Sequence, residues 1–168
     1  IAGVRGLEVA KTPALREKDD GVWQGHTHAE VQATHADIYP NYLTRKPDFA
    51  APQGETLQHF AERVRKALTQ IARESAGKTV LVVAHAGVLD IAWRLAAGKK
   101  LDEKREHPVL NATPNWIAYE DGKWSLVDWA TPEGRAEIAA PWDGRELPRR
   151  EAARALIVDQ DNDVLLMR

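Results

Sequence analysis

Leu57, Phe60, Val64, Leu68 and Ile71 recur at intervals of three or four residues. That spacing keeps one stripe of a helix apolar, so an amphipathic α-helix of roughly five turns is predicted, closing at Gly77. The pattern then changes. Val80, Leu81, Val82, Val83 and Ala84 follow with no polar break, as in a strand buried on both faces, and the strand is placed at 79–84. A second helical stretch runs from about Val88 to Ala97 and stops at Gly98. Helix, buried strand and helix in succession predict an α/β fold with a mainly parallel sheet.

The flanking segments are less regular. Residues 1–6 give the tail of a helix, and Leu7, Glu8 and Val9 a short extended piece. The stretch 15–25, LREKDDGVWQG, is charged and aperiodic, with two glycines around Trp23, and is read as a loop. A large aromatic on such a loop often forms the wall of a site. Thr27 with Glu30 three residues later makes a capping box, so a helix is expected from there to about His35. Pro40, Pro47 and Pro52 make 39–54 irregular. Residues 116–119 and 124–129, joined through Asp121-Gly122, predict a hairpin with a tight turn. The proline- and charge-rich stretch 131–150 is read as a linker, and 153–158 with 164–167 as a second hairpin outside the first core. The expected organisation is therefore a domain at 1–130, a linker at 131–150 and a terminal hairpin at 151–168.

Composition narrows the function classes. At 168 residues the chain suits one domain of ordinary size. A net charge of -2 gives no electrostatic reason to expect nucleic acid or a membrane surface. The absence of cysteine excludes disulfides and thiolate metal sites and fits a reducing compartment, so a cytoplasmic location is expected. The chain opens on Ile1 within an apparent helix and closes within an apparent strand, which predicts a piece of a longer chain.

His85 is the first candidate for chemistry. A histidine after a buried strand is more often a satisfied core residue than a catalyst. Its place at the strand's carboxyl end, where open α/β sheets bind ligands, and beside the small Ala86 and Gly87, brings the two readings level. Glu17, between Arg16 and Lys18, reads as a solvated charge cluster on sequence alone. His26 and His28 have no acidic or cysteine partner at metal-ligand spacing, so a metal is not expected. Ala76-Gly77-Lys78-Thr79 imitates the end of a phosphate-binding loop. It lacks the first glycine, where Ala72 stands, and it precedes a strand instead of a helix, so that reading is rejected. The tryptophans (Trp23, Trp93, Trp116, Trp124, Trp129 and Trp142) are read as core and hairpin packing instead of a stacking platform, since no basic stripe accompanies them.

Three stretches taken together carry a resemblance. LREKDDGVWQG (15–25), PQGETLQHFAERV (52–64) and TVLVVAHAGVLD (79–90) stand in the order and spacing of the histidine phosphatase superfamily, in its phosphoglycerate-mutase-like branch. The resemblance covers about residues 1–130. It implies a three-layer α/β/α sandwich and phosphoryl transfer through a phosphohistidine, with no metal or cofactor. His85 matches the family's second, phosphate-holding histidine, and Glu17 matches the acid that protonates the leaving oxygen. Ala86 and Gly87 stand where the family has two small residues, Ala86 replacing the commoner glycine; with Trp23 they are the candidate substrate-binding residues. Thr56 stands for the usual serine after Gly-Glu and is read as a helix-start residue. The chemistry suits these types: charge spread over three phosphoryl oxygens calls for an imidazolium and arginines, and a poor alkoxide leaving group calls for a proton.

The family's nucleophile is a histidine in an Arg-His-Gly motif, and none of the six histidines (26, 28, 35, 59, 85, 107) follows an arginine. The expectation is a chain carrying part of a phosphomonoesterase site, inactive alone, whose parent hydrolyses a small phosphorylated metabolite. Alternatives are a phosphoglycerate mutase and a non-catalytic binder of phosphorylated ligands. A third, a Nudix-type nucleotide hydrolase to which this domain is accessory, follows from 148–168, PRREAARALIVDQDNDVLLMR, which resembles the opening hairpin of Nudix hydrolase domains; a plain terminal hairpin fits nearly as well. Loss of a central strand would bare backbone pairing groups and apolar surface, so the isolated chain should be sticky and poorly stable. Calorimetry should give a broad, low melt with association, and a sharp cooperative melt of soluble monomer would contradict it.

Overall fold

The computed structural model describes residues 9–111 and 113–130, with the backbone of two short strands at Leu156–Ile157 and Leu166–Met167. The helix expected at 1–6, Trp142 and the linker at 131–150 lie outside the described residues. Strand β1 (Val9–Ala10) opens the described chain, followed by two single 3₁₀ turns at Pro13–Leu15 and Gly21–Trp23.

Helix α1 (His28–Thr34) begins where the capping box predicts. Thr27 accepts from the Glu30 N–H, and the Glu30 carboxylate accepts from the Thr27 N–H. The stretch read as irregular contains one short helix, α2 (Tyr39–Leu43). Pro40 sits in its first turn, where its missing N–H costs no hydrogen bond, so the proline starts this helix instead of blocking it. Helix α3 (Leu57–Glu74) is capped by Thr56, whose side chain accepts from the His59 N–H. The helix turns Phe60, Val64 and Leu68 inward. Helix α4 (Ala86–Ala97) starts two residues before the expected position and ends on Gly98, which holds the left-handed φ of 66° that a C-terminal glycine supplies.

Strand β2 (Leu81–Val83) is the hub of a four-stranded sheet. Its neighbours are β5 (Leu156–Ile157), which pairs with it in parallel, and β6 (Leu166–Met167), which pairs antiparallel and is itself flanked antiparallel by β1. The two terminal segments expected to pair with one another as a hairpin therefore sit on opposite edges of β2. A buried apolar strand needs a hydrogen-bonding neighbour on each edge, and these segments provide them. The described sheet has one parallel and two antiparallel pairings. The central hairpin forms as predicted: β3 (Asn115–Glu120) and β4 (Lys123–Trp129) pair antiparallel across Asp121 and Gly122, both at positive φ.

One core joins α3, α4, β2 and Ile117 of the hairpin. Leu15, fully buried, ties the charged loop to that core, an anchor worth about 1.5–3 kcal/mol for an apolar side chain of this size. A second cluster gathers Trp23, Val31, Tyr39 and Ala51 around the loop and the short helices. No helix among the described residues is long and apolar enough to cross a membrane.

Candidate active site

The carboxyl end of β2 runs into His85, which is the N-cap of α4 with extended backbone (φ −90°, ψ 166°). Its carbonyl accepts from the Leu89 N–H at 3.0 Å, while its ring makes no capping bond to the helix. The imidazole is thus held at the strand-to-helix turn without being used to build it. Ala86 and Gly87 form the first turn of α4, whose free N–H groups and dipole favour an anion.

Glu17 sits against this turn. Its Oε2 accepts from the Gly87 N–H at 2.9 Å across 70 residues of sequence, and its Oε1 accepts from the Lys18 N–H at 2.8 Å. The approach is close enough that a Cβ on residue 87 would lie 2.1 Å from Glu17 Oε1. A side chain at residue 87 would make the carboxylate shift from this position.

Glu17 and Gly87 line a cavity of about 590 Å³. Lys18, Arg45, Lys46, Lys104 and Arg105 contribute cations to its wall, Asp20 and Asp90 the further acids, and Tyr42 and Phe49 an aromatic flank. Lys18 pairs with Asp20, and Arg45 with Asp90. The wall is on balance cationic, which suits an anionic ligand. Trp23, 6% exposed, stands behind this wall with its ring centroid 5.7 Å from Tyr42 and 5.8 Å from Phe49. It packs the aromatic flank without lining the cavity. His28 shares the same flank, its ring against Tyr42 and its Nδ1 3.3 Å from the Tyr39 hydroxyl.

The cavity floor holds a buried ionic group. Asp90, 3% exposed, accepts at Oδ2 from Arg45 Nη2 at 2.7 Å and from Arg94 Nε at 3.1 Å. The two guanidiniums also hold the loop 100–103. Arg45 donates to the Leu101 carbonyl at 3.1 Å, and Arg94 to the carbonyls of Lys100 and Glu103. Two hydrogen-bonded cations on one buried carboxylate satisfy the charge that burial would otherwise penalise. His107 lies over Trp93, with ring centroids 3.9 Å apart, and meets Trp129 edge-on. Its Nε2 is 3.2 Å from Asp90 Oδ1, but the two are not aligned for a hydrogen bond and neither has another partner among the described residues.

The sequence profile of the histidine phosphatase superfamily (branch 1) matches residues 1–132. The chain belongs to the histidine phosphatase superfamily. Its relatives in this family include the metal-independent phosphoserine phosphatase of Arabidopsis thaliana, 32% identical over 73% of this chain and 50% of that protein. Phosphoglycerate mutase-like protein 4 of the same plant is 28% identical over 73% of this chain and 53% of its own length. The chain thus spans about half the length of these curated relatives. Among solved structures, YhfR of Bacillus stearothermophilus superposes with a TM-score of 0.64 over 70% of this chain and 58% of its own, at 24% identity. The alpha-ribazole phosphatase of Shigella flexneri gives 0.62 over 71% and 59%, at 20% identity. These two establish the same fold. The matched span ends at residue 132 and leaves 148–168 outside it.

Within this histidine phosphatase fold, three of the site residues expected from sequence, Glu17, Ala86 and Gly87, meet at the start of α4 beside His85, and Trp23 is set back from them. Sequence reasoning missed the group around Asp90. Its one local signal is the i,i+4 pair Asp90 and Arg94 on an otherwise apolar helix. Arg45 and His107 arrive from separate loops and carry no such mark.

His107 gives a pH prediction. Burial, aided by Arg94, Arg105 and Arg45 and opposed by Asp90, pushes its pKa down from 6.5 to about 4. The folded state prefers the neutral ring, so its contribution is intact above pH 6.5 and is lost as the pH falls from 6.5 toward 4. The loss approaches about 3 kcal/mol at one pKa unit per 1.4 kcal/mol. Urea unfolding across that range should show it, and His107→Phe, which keeps the stacking, should flatten that part of the profile.

Proposed function

We propose that this chain carries the acid and phosphate-holding part of a metal-independent phosphomonoesterase site. The observation that supports it most is the Glu17–Gly87 hydrogen bond, which sets a carboxyl group at the helix N-terminus next to His85. In the whole protein a histidine of an Arg-His-Gly motif attacks phosphorus, forming the P–N bond as the P–O bond to the leaving group breaks. His85 holds the phosphoryl oxygens as their charge is redistributed. Glu17 gives its proton to the departing oxygen and, now a carboxylate, takes one from the water that hydrolyses the phosphohistidine. The cationic wall accounts for an anionic substrate, a small phosphorylated metabolite of the cytoplasm. Hydrolysis is preferred to mutase chemistry because the 32%-identical relative bears the name of a phosphoserine phosphatase. In the whole protein the strands beside β2 would be those of a three-layer sandwich with a mainly parallel sheet, in place of the pairing with β5 and β6.

The full-length protein should hydrolyse an aryl phosphate in the presence of a chelator. His85→Ala and Glu17→Gln should each lower kcat by about 10²–10⁴-fold on unactivated esters. The 168-residue chain alone should show no turnover. Turnover by that chain would overthrow the missing nucleophile, loss of activity on chelation the metal-free design, and faster transfer between 2- and 3-phosphoglycerate than hydrolysis the phosphatase reading.

A further inference from the structure

The loop that carries Glu17 has few backbone partners of its own. After the 3₁₀ turn at Pro13–Leu15 the chain is extended at Arg16, and residues 16–20 belong to no strand. Its carbonyls are met from another element. Arg63, on the polar side of α3, donates from Nη1 to the carbonyls of Ala14 (3.0 Å) and Arg16 (2.9 Å), and from Nη2 to the carbonyl of Glu17 itself (3.0 Å).

The same guanidinium grips Glu55 in a fork, Nε to Oε2 at 3.0 Å and Nη2 to Oε1 at 2.5 Å. All five of its N–H donors are thereby used. Glu55 completes the bracket: its Oε1 accepts from the Asp19 N–H at 3.0 Å, and its own N–H donates to the Asp19 carbonyl at 2.9 Å. Arg63 is also fixed by the Phe60 ring, 4.8 Å below its guanidinium carbon. Burial opposes the charge on Glu55, but Arg63 and the Asp19 N–H hold its carboxyl below the usual range, so the fork stays ionised.

We infer that Arg63, backed by Glu55, is a positioning residue for Glu17, setting where the carboxyl group meets the start of α4. This rests on the reading of Glu17 as the leaving-group acid. The planar fork matters more than the charge, because a lysine offers one point and three donors in place of five fixed directions. A shift of Glu17 by about 1 Å is enough to cost on the order of 10²-fold where its proton is needed.

The test compares an alkyl phosphate, whose leaving oxygen needs a proton, with an activated aryl phosphate, whose leaving oxygen does not, in the full-length protein. Glu17→Gln should lose far more kcat on the alkyl ester than on the aryl ester. Arg63→Lys should show the same selectivity, about 10²-fold on the alkyl ester and only a few-fold on the aryl one, with KM little changed. Glu55→Gln, which leaves the three carbonyl bonds of Arg63 in place, should show the same direction at smaller size, and it decides the matter if Arg63→Lys does not fold. Equal losses on both esters, or none, in the Arg63 and Glu55 variants overturn the inference while Glu17 keeps its role. Absence of selectivity in Glu17→Gln, or an inactive wild type, overturns the acid reading and this inference together.

Discussion

A single hydrogen bond, Gly87 N–H to Glu17 Oε2, joins the loop at the front of the chain to the strand-to-helix turn at its centre. It is made at close approach, a Cβ on residue 87 lying 2.1 Å from Glu17 Oε1 as placed, and it is favourable because the first turn of α4 has N–H groups with no helical partner. Several features of the fold answer to this contact. β2 must end where His85 can cap the helix, the residues that follow must be small, and the loop must bring a carboxylate to within 3 Å of a backbone nitrogen. The buried Leu15 fixes one end of that loop, and the close stacking of its other end against residues 52–55 fixes the second. Added Cβ atoms at Gly21 and Gly54 would meet the backbone of the facing segment at 2.2 Å and 2.6 Å, so both positions need glycine.

The cavity floor is organised by a carboxylate in the reverse setting. Glu17 is half-buried and held by backbone N–H groups, whereas Asp90 is buried and held by two guanidiniums. Neutralising Asp90 in this way leaves the cationic wall with little acidic competition beyond Glu17 and Asp20. His107 adds no charge at neutral pH, because burial among two indoles and three arginines favours its neutral form. The net effect is a cavity whose wall is on balance positive and whose half-buried Glu17 stands at one defined point.

What could be read from the sequence was what local spacing determines. The stripe from Leu57 to Ile71, the run Val80 to Ala84, the Thr27–Glu30 capping box and the Asp121-Gly122 turn each specify their element within a few residues, and each forms. The sheet order was not readable, because strand pairing is decided between distant segments and the apolar pattern of β2 says only that both faces are buried. Trp23 shows a subtler limit: a large aromatic on a charged loop can line a cavity or support its wall, and only packing against Tyr42 and Phe49 separates the two. The candidate site was legible where the family's motifs are contiguous, at 15–25 and 79–90, and illegible where it depends on arginines such as Arg45 and Arg63 that look like ordinary surface positions.

Those arginines share one physical task. Segments 14–20 and 100–105 reach the cavity, through Glu17, Lys18 and Asp20 and through Lys104 and Arg105, without belonging to strands, so their carbonyls have no ladder to bond with. A guanidinium, with five donors in one plane, can meet several carbonyls and a carboxylate at once. Arg63 does this for the first segment, and Arg94 with Arg45 for the second. Each is in turn charge-paired, to Glu55 or to Asp90, so its position is set by an ion pair as well as by hydrogen bonds. Two loops that regular secondary structure leaves unsupported are thereby given fixed geometry by side chains rooted in helices α3 and α4 and in the turn after α2. That geometry is what a site depends on when its acid must stand at one place and its substrate at another.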